Sequence, residues 1–197
     1  MKQVLSAYES LGKKYLDHRS FLKSDTYVRA FSKKLRKNAS VLDVGCGAGV
    51  PVDDILTKDR HEVVGIDLSP SLISMARKMV PGASYNVSDM RNLKHGEYMV
   101  DGVVCLYAIF HIPRSEHQRM LDTFASFLPS GGWLLISLGD RAFEGVHEMY
   151  GVTSYSSQWG SAENRRIVET AGFKIQVEEF AMSNGERHQM ILAEKLG

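Results

Sequence analysis

The sequence predicts an α/β fold: a doubly wound, seven-stranded, mostly parallel sheet with helices on both faces, two N-terminal helices and a C-terminal antiparallel hairpin. Three observations predict it. From Ser40 onward, short apolar runs alternate with amphipathic stretches, the order in which strands and crossover helices follow one another in a parallel sheet. The first of these runs, Val41-Leu42-Asp43-Val44, passes directly into a glycine-rich turn, Gly45-Cys46-Gly47-Ala48-Gly49. Near the end the alternation breaks: FKIQVEEFAM and RHQMILAEKL follow one another across Asn184-Gly185 with no helix between them, which reads as a hairpin.

The elements follow in order. Residues 2–18 carry Val4, Leu5, Tyr8, Leu11, Tyr15 and Leu16 at three- and four-residue spacing, a helical stripe. A second helix over 22–37 closes on the basic run Lys33, Lys34, Arg36 and Lys37, suited to the negative end of a helix dipole. SVLDVG is the first strand and VPVDDILTKD the helix after it; EVVGIDLS is the second strand. Ser69 then caps a helix whose first position is Pro70, where a missing N–H costs least. ASYNVSD is a short third strand, and DGVVCLYAI a continuous apolar fourth, as expected of a strand covered on both faces. A helix over 114–128 buries Met120, Leu121, Phe124, Phe127 and Leu128, and PSGGWLLISLGD leads through a turn into strand five. The stretch 140–160 is less regular, and the helix AENRRIVETAG after it ends at Gly172.

Composition bounds the function. The 197 residues are 44% hydrophobic and 24% charged, which suits a soluble globular chain and excludes a disordered or collagen-like one. The net charge of +1 lacks the basic excess usual for binding nucleic-acid phosphates. Cys46 and Cys105 show neither metal-ligand spacing nor a disulfide pattern, which fits a reducing, cytoplasmic setting. The N-terminus lacks the apolar core of a signal peptide, and no run approaches membrane-spanning length.

The chemistry begins at the glycine turn. Glycines there let the backbone turn sharply and approach a ligand without obstruction from Cβ. The spacing is Gly-x-Gly-x-Gly rather than Gly-x-Gly-x-x-Gly, and Asp43 stands two residues before Gly45. An anion there suits a ligand bearing an ammonium or sulfonium charge better than a pyrophosphate. Asp67, at the end of strand two, is placed to accept hydrogen bonds from both ribose hydroxyls. Asp89, ending strand three, is placed either to accept from an adenine amino group or to cap a turn.

With these residues in view the chain resembles the class I, Rossmann-like S-adenosylmethionine-dependent methyltransferases of the small-molecule type, from about residue 8 to the C-terminus. VLDVGCGAGV is similar to their first motif, GIDLSPSLISMAR to the acidic-loop motif, and VSDMRNL to the adenine-contact motif. DGVVCLYAIFHIPRSEHQRML and LPSGGWLLISL resemble the strand-four and strand-five motifs. The resemblance implies S-adenosyl-L-methionine as cofactor and S-adenosyl-L-homocysteine as product. Gly45, Cys46, Gly47 and Gly49 would line its amino-acid end with Asp43, Asp67 would hold the ribose, and Leu68 would flank the adenine. Ser88, Asp89 and Met90 would border the far edge of the adenine, Leu106 would close the strand-four side, and Tyr15 would approach from the N-terminal helix. It also implies one methyltransferase domain: a helical cap at 1–38, a cofactor-binding core at 39–139, an acceptor lid at 140–160, and the last helix and hairpin at 161–197.

Methyl transfer from a sulfonium is an in-line displacement, for which orientation supplies much of the acceleration. His111, at the end of strand four, is the candidate base, since that edge faces the ligand crevice and imidazole titrates near neutral pH. His117, in the first turns of the next helix, reads as solvated. Tyr107, His147, Tyr150, Tyr155 and Trp159 are candidates for the acceptor site. The implied partner is a small-molecule acceptor, with no nucleic acid, membrane or metal expected. The Asn/Asp-Pro-Pro-aromatic tetrapeptide of amino-base methyltransferases is absent after strand four, where LYAIFHIP stands instead. A non-catalytic cofactor-binding module and a nucleic-acid methyltransferase stay open as alternatives.

Overall fold

Seven strands form the central sheet of the computed structural model: β1 (Ser40–Val44), β2 (Glu62–Asp67), β3 (Ser84–Val87), β4 (Gly102–Cys105), β5 (Trp133–Gly139), β8 (Phe173–Ser183) and β9 (Glu186–Lys195). The structure describes residues 5, 6, 9, 24–149, 151–183 and 186–197. The strand order is β3-β2-β1-β4-β5-β9-β8. β1 to β5 pair in parallel, while β9 runs antiparallel to both β5 and β8. The chain therefore winds outward from β1 to β3, returns to β4 beside β1, and winds the other way. The reversal opens a crevice at the carboxyl ends of β1 and β4, where open α/β sheets bind ligands.

Among the described residues, α1 (Asp25–Ser32) precedes the sheet, and α2 (Val52–Lys58), α3 (Pro70–Met79), α4 (His117–Ser126) and α5 (Ser161–Thr170) lie between strands. Alternate side chains of each strand serve opposite layers. Leu42 and Val44 of β1 join a core with Met120, Leu121 and Phe124 of α4 and Ile167 and Val168 of α5. Val41 faces the other way, toward Val28 and Phe31 of α1 and Val52, Ile55 and Leu56 of α2. Both faces are thus dry, which is why the inner strands read as near-continuous apolar runs. Ser69 caps α3 as expected, its side chain accepting from the N–H of Leu72 at 3.2 Å with Pro70 at the first position.

Four differences from the sequence reading matter. Strand four is shorter than DGVVCLYAI, because Tyr107 takes a left-handed backbone, φ +56°, and turns the chain into a 3-10 turn at Ile109–His111. The stretch 140–160 is a β-hairpin, β6 (Phe143–Met149) with β7 (Val152–Gln158), forming a sheet of its own. Its small polar residues gave no alternating apolar signal, and the pairing across Gly151 (φ +78°) is a tertiary outcome. The second helix covers only Asp25–Ser32 of the expected 22–37. His117 is fully buried, because α4 starts at that residue and turns it onto the core. Of the first expected helix, Leu5, Ser6 and Glu9 are helical, while Tyr8, Tyr15, Tyr150 and the Asn184-Gly185 turn lie outside the described residues.

Candidate cofactor site and acceptor edge

The glycine turn is built by backbone geometry. Gly45, Gly47 and Gly49 have φ of +77°, +58° and +77°, a region that residues with a Cβ enter only at a cost. Gly45 meets a second constraint: a Cβ there would lie 2.4 Å from the Cβ of Ala108, which follows strand four. This close approach brings the ends of β1 and β4 together at the point of reversal. The N–H groups of Gly45 and Cys46 both bond the carbonyl of Ile66, at 2.8 and 3.0 Å, tying the turn to β2.

Asp67 continues that tie. Its carboxylate accepts from the N–H of Gly47 at 2.9 Å and from the N–H of Ser69 at 2.8 Å. Two backbone donors on different loops therefore orient a half-buried carboxylate at the end of β2. Leu68 beside it is half-buried, and Glu9 reaches the same place, accepting from the hydroxyls of Ser69 and Ser71.

Acids collect below and around the turn. Asp43 and Asp53 are both buried, Asp43 on β1 and Asp53 on α2. Burial, reinforced by the Asp53 carboxylate and more weakly by Cys46 and Asp43, holds the Tyr85 phenol far up in its protonated form. Burial and the charge of Asp43 likewise push the Cys105 thiol up. The Cys46 side chain is buried against Ile73, Ala76 and Tyr85. Asp53 was not picked out from sequence; an acid in a helical first turn carries no sign that it will be buried beneath a loop.

At the far edge, Ser88 continues β3, its N–H bonding the carbonyl of Asp67 at 2.9 Å. Asp89 caps the short turn Met90–Asn92 and pairs with Arg91 at 2.6 Å. Burial alone would raise its carboxyl, but the bonds from Arg91 outweigh it and hold the group below the ordinary value. The capping reading of Asp89 is therefore realised, and any adenine contact shares the carboxylate with Arg91. Met90 packs against the core, its Cε 3.8 Å from the position of a Cβ on Gly45.

The edge beyond β4 carries the candidate acceptor residues. Leu106 is buried; Tyr107, in its left-handed backbone, is held by its N–H bonding the Ser137 hydroxyl at 2.6 Å. A non-glycine residue at that φ costs about 1–3 kcal/mol, a strain that fixes where its ring points. His111 is buried, its Nδ1 3.2 Å from the carbonyl of Tyr155. A carbonyl only accepts, so the proton sits on Nδ1 and Nε2 is the accepting nitrogen. Burial lowers the imidazole to about 4, despite that carbonyl, with His147 adding to the depression. His111 is therefore neutral at pH 7, and the expected titration near 6.5 does not hold; desolvation is the reason.

The β6–β7 hairpin is clasped to this edge by residues that sequence alone did not single out. The N–H of Arg114 bonds the Ser157 hydroxyl at 2.8 Å, and its guanidinium pairs with Glu144 at 3.0 Å. The same guanidinium lies 4.6 Å from the Trp159 ring, whose Nε1–H bonds the carbonyl of Arg114 at 3.0 Å. Trp159 packs on the main core, and the Tyr155 hydroxyl bonds Glu144 at 2.9 Å near the surface. Trp159 thus fastens the hairpin to the core, whereas the Tyr155 hydroxyl bridges the hairpin's own two strands. His147 is half-buried, its Nε2 2.8 Å from the Ser156 hydroxyl.

The strand order, the positive-φ glycine turn and the acid at the end of β2 now stand together. This is the class I methyltransferase fold. Residues 41–132 match the family described as "Methyltransferase domain". Over 112 residues the chain is 32% identical to ubiquinone biosynthesis O-methyltransferase of Coxiella burnetii, a match covering 55% of this chain and 47% of that one. The chain thus spans about half the length of that curated relative. Among solved structures, a TehB-like S-adenosylmethionine-dependent methyltransferase from Corynebacterium glutamicum superposes with a TM-score of 0.71 at 19% identity, covering 96% of this chain and 98% of that one. Magnesium protoporphyrin IX methyltransferase of Synechocystis, solved with bound S-adenosylhomocysteine, gives a TM-score of 0.70 at 19% identity, covering 91% and 83%. The methyltransferase pattern thus spans β1 to the start of β5, the part that carries the glycine turn, Asp67, Asp89 and the end of β4. Among the described residues no helix is long and apolar enough to cross a membrane.

Proposed function

We propose that the chain binds S-adenosyl-L-methionine in the crevice between β1 and β4 and transfers its methyl group to a small-molecule acceptor. The observation that carries this reading is the Asp67 carboxylate, locked by the N–H groups of Gly47 and Ser69 beside the glycine turn. A carboxylate oriented this way matches a ribose diol. The surrounding charge fits the group as well: Asp43 and Asp53 are buried around the glycine turn and Asp67 stands at the end of β2, acids that suit a cationic ligand and disfavour a pyrophosphate.

S-adenosylmethionine, when bound, supplies a methyl group on a positively charged sulfur. The protein's part is orientation. Gly45 and Gly47 leave room for the amino-acid end, Leu68 and Met90 flank the adenine, and Leu106 and Tyr107 mark where the acceptor meets the methyl. His111, neutral and held by the Tyr155 carbonyl, lies on the acceptor side. The β6–β7 hairpin, clasped by Arg114, is the acceptor-side cover, and its length within 140–160 is what makes that side specific. The setting is cytoplasmic on the cysteine usage, and the whole of 1–197 acts as one methyltransferase domain.

Calorimetry tests the reading directly. S-adenosylmethionine and S-adenosylhomocysteine should bind, and NAD should not bind comparably. Equal or tighter NAD binding overturns the proposal. Release of S-adenosylhomocysteine with an acceptor panel separates an enzyme from a cofactor-binding module of the same fold.

A further inference from the structure

Two imidazoles, not one, flank the ring that follows strand four. Phe110 meets His111 edge-on, with ring centroids 4.9 Å apart, and on its other side stacks at 25° on His188, 5.7 Å away. The His188 ring also meets Tyr107 edge-on at 5.0 Å. His188 lies on β9 opposite Gly139, so antiparallel pairing delivers it to the carboxyl edge of the sheet from a point 77 positions along the chain from His111.

The hydrogen bonding of His188 is unlike that of His111. It is 6% exposed, and its Nδ1 is buried with no hydrogen-bond partner among the described residues. Its Nε2 faces Glu186 at 3.8 Å, which favours the tautomer with the proton on Nε2 and leaves a lone pair on Nδ1. Burial lowers this imidazole while Glu186 and Asp140 oppose the shift, so the neutral form prevails at pH 7. Buried polar atoms without partners are uncommon, and this one lies among aromatic rings at the carboxyl edge of the sheet, where a donor from outside the protein would satisfy it.

We propose that His188 Nδ1 accepts a hydrogen bond from the methyl acceptor, and that the acceptor is a planar aromatic compound bearing a hydroxyl. The inference rests on the methyltransferase reading and deepens it. Tyr107 and Phe110 set flat aromatic rings beside the His188 imidazole, surroundings that suit a planar partner for Nδ1. Tyr107 is the half-exposed member of the cluster. His111, whose Nδ1 is committed to Tyr155, keeps the hairpin in register on the far side of Phe110.

The test uses phenol and anisole, the same ring with and without a hydroxyl donor, on the full chain loaded with S-adenosylhomocysteine. Saturation-transfer NMR should show phenol binding at least fivefold tighter than anisole. In His188→Phe that preference should vanish while S-adenosylhomocysteine affinity is kept, which also shows that the variant folds. Long-range proton–nitrogen spectra of the unmodified protein give a second readout: phenol should shift the His188 Nδ1 resonance and anisole should not. Equal binding of the two probes, no phenol binding, an unmoved Nδ1 signal, or a preference retained in His188→Phe overturns the proposal. Failure of S-adenosylhomocysteine to bind would instead overturn the cofactor reading, and this inference with it.

Discussion

Removing the Asp67 carboxylate separates its two tasks. In the protein it orients the glycine turn through the N–H of Gly47 at 2.9 Å and the start of α3 through the N–H of Ser69 at 2.8 Å. Both donors are partly buried, so Asp67→Ala should cost about 0.5–1.5 kcal/mol for each, roughly 1–3 kcal/mol in all. At about 2–4 °C per kcal/mol for a chain of this size, the melting temperature should fall by roughly 2–12 °C. Binding should suffer more. Two charge-assisted bonds to a ribose diol are worth about 2–4 kcal/mol, a loss of roughly 30- to 1,000-fold in affinity for S-adenosylhomocysteine. Asp67→Asn keeps one accepting oxygen but turns an amide donor toward the other N–H, so it should fall between wild type and alanine in both respects. Calorimetry gives the dissociation constant and a thermal melt gives the stability. A melting temperature lowered as expected with an unchanged dissociation constant would refute the argument, because the carboxylate would then hold only the protein's own loops.

Three further outcomes follow from the same geometry. Gly45→Ala combines an unfavourable φ of +77° with a Cβ 2.4 Å from that of Ala108, and should lose about 2–4 kcal/mol in urea denaturation; a loss under about 1 kcal/mol would mean that the ends of β1 and β4 separate easily. His111 and His117 are both depressed to about 4 by burial, so they are neutral when folded and take up protons on unfolding below ~6.5. Stability from this source is complete above about pH 6.5 and is lost as pH falls toward 4, by up to about 3 kcal/mol per histidine, and His117→Leu should flatten the slope by about 1.4 kcal/mol per pH unit. Denaturation curves between pH 7.5 and 4.5 check this, and equal slopes in the two proteins would count against it. Trp159→Ala should lose about 2–3 kcal/mol through core contact and the Arg114 clasp, while Tyr155→Phe, which removes a surface hydroxyl, should change stability by less than about 1 kcal/mol. Similar losses in the two variants would contradict the division between core anchor and surface contact.

The sequence by itself determined the sheet and the strand-end features from which the cofactor side is proposed. Those features are local: an apolar run ending in glycines marks a strand that must turn at positive φ, and an acid that ends the next run is carried to the same edge by the parallel pairing of β1 and β2. Ser69 and Pro70 likewise declare the start of α3 within a few residues. The proposed acceptor side was legible only in outline, because it is assembled from distant segments. The β6–β7 hairpin has no apolar alternation of its own and owes its place to Arg114, Trp159 and Ser157, paired across more than 40 positions. Burial of His117 depends on where α4 begins, and the low titration of His111 on the hairpin that covers it; neither is written in the residue types. His188 meets Tyr107 and Phe110 only because β9 runs antiparallel beside β5. Strand-end motifs record what a backbone must do locally, whereas desolvation and ring contacts depend on which surfaces the finished fold brings together.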